Sequence, residues 1–192
     1  NIMATIASSS IAMNAIVSSS VAMKEIANSN VAMTEVIRIS TAINKIASSS
    51  IAMSEIANSS VAMNKIANNS TVMNEIVKSS TAIDKIVGSS VAMSAISNSS
   101  IAMNIMANNS TASSKLANSG IAMSAVINNS TALNIVVNNS TMMNAIVYSS
   151  TAMDSVTSSS IALNAIIKNN TACLKIYSKI QSYRTTVIKT LN

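Results

Sequence analysis

Few residues in this chain could do chemistry. Six carboxylates, Glu25, Glu35, Glu55, Glu75, Asp84 and Asp154, are scattered over 192 residues, histidine is absent, and Cys173 is the one cysteine. General acid–base catalysis needs titratable groups that converge, and glycoside hydrolysis needs two carboxylates flanking one bond. Four of the six carboxylates instead recur at one outer position of a repeat, as a solvated face does. Cys173 has no imidazole to activate it and stands where the repeat usually carries Met, so it reads as a small core residue. A zinc site would need a Cys/His cluster and a calcium site a loop of oxygen ligands, and the sequence has neither. No glycine-rich phosphate loop occurs. The expectation is a protein that is not an enzyme and uses no cofactor or metal. Triplets such as Asn58-Ser59-Ser60 and Asn69-Ser70-Thr71 match glycosylation sequons, but they recur because a turn recurs.

Charge excludes a second class of function. The net charge is +6, yet five of the twelve basic residues, Lys168, Lys175, Lys179, Arg184 and Lys189, lie in the last 25 positions. The body is therefore close to neutral and almost free of aromatic side chains, whereas nucleic-acid binding needs basic rows and stacking platforms. No nucleic-acid partner is expected. No apolar run approaches the roughly 18 residues that would span a bilayer, so no membrane span is expected, and no signal peptide is evident. The chain opens mid-pattern at Asn1-Ile2-Met3, which suggests a natural start further upstream.

The elements that carry these residues follow from a repeat. Eighteen blocks of ten residues align without a gap as far as residue 180. Position six is Ile, Val, Leu or Met in all eighteen, position two is Ala in fifteen, position three is Met in twelve, and position nine is Ser or Asn in sixteen. The block at 51–60, with Ala52, Met53 and Ile56, and the block at 91–100, with Ala92, Met93 and Ile96, give the expected core sites. Ala at position two implies close approach of one backbone to another, and Met at position three fills irregular gaps.

Positions two, three, six and seven share one face of an α-helix, giving a two-turn amphipathic segment. A continuous helix is excluded, because a period of ten at about 3.6 residues per turn winds the apolar stripe around the rod. Short helices broken at each block solve the phase problem, with Ser at position ten as the expected N-cap. Helices of two turns are unstable alone and must stack. The expected fold is an all-α solenoid of stacked short helices, one per ten-residue repeat. The alternative is a narrow β-solenoid, supported by β-branched residues at positions one and six but opposed by Met, Ala and the broken alternation.

Two features bear on stacking. The fifth positions Glu35, Lys45, Glu55, Lys65, Glu75 and Lys85 alternate in sign, which would make an inter-repeat charge ladder if successive blocks lay side by side. Block twelve, with Ser113 at the Met position and Gly120 at its end, is expected to be a softer joint. Two regions are expected: a decapeptide-repeat shaft over 1–170, and a degenerate last repeat over 171–192 that caps the stack or opens another module, with Tyr177 and Tyr183 at this end. Replacing Ala92 by Leu should overpack the stack, while Ser99→Ala should matter less.

The stretches Ser149-Ser150-Thr151-Ala152-Met153-Asp154 and Ser140-Thr141-Met142-Met143-Asn144-Ala145-Ile146 carry a pattern that resembles the decapeptide repeats of bacteriophage tail-fibre and related tail structural proteins. The resemblance covers residues 1–180. It implies a virion tail or extracellular appendage, a homo-oligomeric fibre in contact with other tail or appendage proteins, and a host receptor met only through adjoining modules. The protein would then be a spacer for host attachment. Alternatives from the sequence are a bacterial surface adhesin or filament stalk, and an ice-binding or other surface-binding solenoid.

Overall fold

Each decapeptide forms one short α-helix in the computed structural model, which describes the backbone of residues 2–191 and the side chains as far as Thr185. Almost every helix packs most closely on the helix three blocks away, so three helices close one coil and three faces run along the stack. One face stacks α1 (Ile2–Ser8), α4 (Asn30–Val36), α7 (Ser60–Ala67), α10 (Ser90–Ser97), α13 (Gly120–Ile127) and α16 (Ser150–Thr157). The next holds α2 (Ser10–Val17), α5 (Ser40–Ser48), α8 (Ser70–Ile76), α11 (Ser100–Asn108), α14 (Ser130–Val137) and α17 (Ser160–Ile167). The third holds α3 (Ser20–Asn28), α6 (Ser50–Ala57), α9 (Ser80–Val87), α12 (Ser110–Ala117), α15 (Ser140–Val147) and α18 (Asn170–Leu191). The chain turns sharply between blocks, by 105° from α13 to α14. No strand occurs among the described residues, so the repeat makes an all-α solenoid and not the narrow β-solenoid.

The apolar face of each helix points into the stack. Ala52, Met53, Ile56, Ala92, Met93 and Ile96 are all fully buried. Burying a Met or Ile side chain is worth about 1.5–3 kcal/mol, enough to offset the poor stability of a two-turn helix. Ala at position two is buried between coils in most blocks, and Val72 and Met142 are buried at the same position in two others. Polar residues at positions four and eight stay outside.

The corners need only two residues. Position eight has a near-helical backbone and position nine is extended, as at Asn58 (φ −96°, ψ 2°) and Ser59 (φ −104°, ψ 116°). No described residue has a positive φ, so the corner asks for no glycine, and the scarcity of glycine follows. The N-cap is position nine and not position ten. Ser9 is extended, its carbonyl accepts from the Met13 N–H at 2.9 Å, and its hydroxyl accepts from Ala12. Ser10 is already helical.

Block twelve keeps the regular pattern. Ser113 is fully buried and its hydroxyl donates to the carbonyls of Met106 (3.2 Å) and Ala107 (2.9 Å), so the missing Met leaves no unpaired polar atom. Block eighteen departs, because α18 runs straight through the place where a corner would fall. Lys179 stands at its position nine, where it offers no oxygen to cap a new helix. Among the described residues, no single helix is long and apolar enough to cross a membrane.

Candidate functional site

The recurring device of this molecule sits at the corner, in the residue at position nine. Ser59 shows how its groups are used. Its N–H donates to the Ile56 carbonyl at 3.1 Å, which ends one helix, and its carbonyl accepts from Met63 at 2.9 Å, which begins the next. Its hydroxyl oxygen accepts from the Ala62 N–H at 3.3 Å, and its hydroxyl hydrogen goes to the Ala27 carbonyl at 2.7 Å, 32 residues earlier. Ala27 is at position seven, near a helix C-terminus where carbonyls lack partners within the helix. One buried serine thus caps a helix of its own coil and satisfies a helix end in the coil beneath.

The bond repeats along the stack. Ser49 donates to Val17, Ser89 to Ala57, Ser99 to Ala67 and Ser149 to Ala117, at 2.6–2.7 Å and always 32 residues apart. Asparagine caps in the same way but reaches a side chain of the coil beneath instead of a carbonyl. Asn129, Asn139 and Asn169 each accept from the N–H at position two and donate to Asn98, Asn108 and Asn138 in the coil beneath, at 2.7–2.8 Å. Each of these asparagines at position nine meets an asparagine at position eight three blocks earlier. The two exceptional corners are informative. Ile39 makes no side-chain cap and packs partly buried against the core. Lys179 lies over the Tyr148 ring, 4.1 Å from its centre, at the 31-residue spacing of the asparagine pairs. It also lies 4.6 Å from the Tyr183 ring. The sequence marks position nine as a break, but its bond to the coil beneath is seen only in the fold.

The charged series at position five is arranged differently from the ladder expected of consecutive blocks. Consecutive blocks lie on different faces, so Glu35, Lys45, Glu55, Lys65, Glu75 and Lys85 do not form one row. Because a coil holds an odd number of blocks, the alternation still sets opposite signs on stacked helices: Glu35 below Lys65, Lys45 below Glu75, and Glu55 below Lys85. No ion pair joins members of this series. Among the described residues the pairs are Glu35–Arg38 at 3.7 Å, Glu75–Lys78 at 2.7 Å and Asp84–Lys115, the last linking α9 to α12.

The remaining candidates do not gather into one place. No three Asp, Glu or Cys side chains converge among the described residues. Cys173 is a free thiol, half-buried against the core. A surface cavity of about 670 Å³ opens beside Gly120, lined by Ser90, Ser94, Asn98, Ile121 and Ser124. Ser97 also borders it, and the Ser97 hydroxyl is buried without a hydrogen-bond partner.

Fold and corner chemistry together define an α-solenoid of three short helices per coil, pinned by serine or asparagine at most of its corners. Compared with known proteins, the chain matches no family model and no curated protein.

Proposed function

We propose that this chain is a structural shaft or fibre segment of a bacteriophage tail or phage-tail-like particle, acting as a spacer for host attachment. The supporting observation is the serine corner bond, which recurs along the stack at one spacing and ties helix ends to the next layer. A stack fixed in this way resists bending at every layer, and its Ser, Thr and Asn exterior is hydrated and nearly neutral. Its place would be a virion tail or extracellular appendage, among copies of itself and other tail proteins, with the receptor bound by an adjoining module. The test is gold-labelled antibody against the repeat, viewed on tailed particles by electron microscopy. Label along the tail is expected. Label confined to the cell wall would overturn the tail reading in favour of an adhesin or filament stalk.

One observation favours a second reading. The three-block coil brings Thr81, Thr111, Thr141 and Thr171 into one column on α9, α12, α15 and α18, although position one along the chain mixes Thr with Ile and Val. A regular threonine row is the kind of surface that orders water. Thermal hysteresis in the purified protein would support that reading, and its absence would remove it.

A further inference from the structure

One stretch of surface in the middle of the stack departs from the repeat in several ways at once. It lies on the face of α7, α10 and α13, where the cavity of about 670 Å³ between α10 and α13 meets a second of about 380 Å³ between α7 and α10. Both are lined by Ser90 and Ser94, so they form one groove across three layers. The residue types explain why it opens here. Position ten carries Ser in most blocks but Gly at 120, and a Cβ on Gly120 would meet nothing within 4 Å. Position five carries Ala95 and Ala125 where α7, on the same face, has Lys65.

The lining has polar groups to spare. Every earlier block carries Ala, Val or Ile at position seven, whereas Ser97 stands there, 2% exposed and bordering the cavity, with no hydrogen-bond partner for its hydroxyl. A buried hydroxyl left unpaired costs free energy. It changes direction by one rotation about χ1, so an oxygen seated at this wall can take its hydrogen. The hydroxyls of Ser90 and Ser94 also find no partner among the described residues. Asn98, by contrast, is held in place: its amide donates to the Ser94 carbonyl at 2.9 Å and its oxygen accepts from Asn129 at 2.8 Å.

No Lys, Arg, Asp or Glu lines either cavity. From residue 86 to 167 the charged side chains are Lys115 and Asp154, and Lys115 is paired with Asp84 on another face. An ionic ligand would find nothing here to answer its charge. The groove offers hydroxyls and carboxamides, each both donor and acceptor, beside the apolar side chains of Val91, Ile121 and Ala125. Polyhydroxylated rings present the same mixture, with hydroxyls at their edges and C–H groups on their faces. A groove open to solvent along three layers suits a chain of such rings better than one enclosed molecule.

We propose that this groove binds a neutral oligosaccharide, laid across α7, α10 and α13 with one sugar in the space left by Gly120. The hydroxyls of the ligand supply the partners that Ser90, Ser94 and Ser97 lack. The site lies on the side of the stack, apart from any adjoining module, and does not depend on the tail reading.

The test applies the full chain to an array of neutral oligosaccharides of glucose, mannose, galactose and N-acetylglucosamine, followed by titration calorimetry with the one best retained. Binding to at least one is expected. Gly120→Tyr, which fills the space, should abolish it, while Ser110→Tyr, at the same repeat position on another face, should leave it unchanged. Ser97→Ala should weaken binding about two- to tenfold without lowering stability in urea, because the protein loses no hydrogen bond of its own. If circular dichroism shows that Gly120→Tyr loses helix, Ser94→Tyr, exposed on the same wall, takes its place. Retention of no neutral sugar, binding indifferent to Gly120→Tyr, or an equal loss in Ser110→Tyr would each overturn the proposal. Retention of a neutral Gly-Ser-Asn peptide but of no sugar would overturn it in favour of a polypeptide ligand.

Discussion

A hydroxyl at position nine accepts one hydrogen bond and donates another, and losing it removes a cap and strands a carbonyl. Ser89 is buried, accepts from Ala92 at 3.2 Å and donates to Ala57 at 2.6 Å. Ser89→Ala is expected to cost about 1–3 kcal/mol in urea denaturation, while Ser90→Ala, one residue away and exposed, stays within about 0.5 kcal/mol. Ser99 belongs with Ser89, being 4% exposed and bonded to Ala67 and Ala102. The expectation that Ser99→Ala is the mild change beside Ala92→Leu is therefore revised. Both should cost about 1–3 kcal/mol, one by stranding a carbonyl and the other by overpacking. Equal tolerance of Ser89→Ala and Ser90→Ala would contradict the corner assignment.

The helix itself was legible in the sequence, because positions two, three, six and seven fit one helical face and fit a strand badly. The corner is half legible: Ser or Asn at position nine marks the break, but a run of two or three Ser and Asn offers several capping oxygens, so the sequence does not single out position nine over position ten as the cap. The number of helices per coil was not legible. A period of ten specifies that blocks are alike, whereas the turn between blocks comes from backbone angles at positions eight and nine that many polar residues can adopt. The pairing of the charge series is hidden for the same reason, since its neighbours are thirty residues apart. At this scale the glycines give a test. A Cβ on Gly120 would meet nothing within 4 Å, whereas one on Gly88 would lie 3.1 Å from the Asp84 carbonyl oxygen. Gly120→Ala is expected to stabilise the protein by up to about 1 kcal/mol in thermal or urea unfolding, and Gly88→Ala by less.

Over the whole molecule, apolar stacking and neutral hydrogen bonds dominate, and the ion pairs among the described residues are solvent-accessible. Such pairs are weak and screened by salt. Stability should therefore change by less than about 1 kcal/mol between low and high salt, measured by urea denaturation. A strong salt dependence would mean that charge holds the coils together. Eighteen helices at three per coil make six coils. At an interaxial distance of about 8–10 Å the stack is roughly 50–60 Å long, a short and stiff rod for its chain length. That geometry stands or falls with the three-block coil, and cysteine cross-linking measures it most directly. In a Cys173→Ala background, cysteines at 98 and 129, whose asparagine side chains meet at 2.8 Å, should be joined readily by a short bifunctional thiol cross-linker. Cysteines at 98 and 119, two blocks apart at the same repeat positions, should not. Ready closure of 98 to 119, with none between 98 and 129, would contradict the three-block coil.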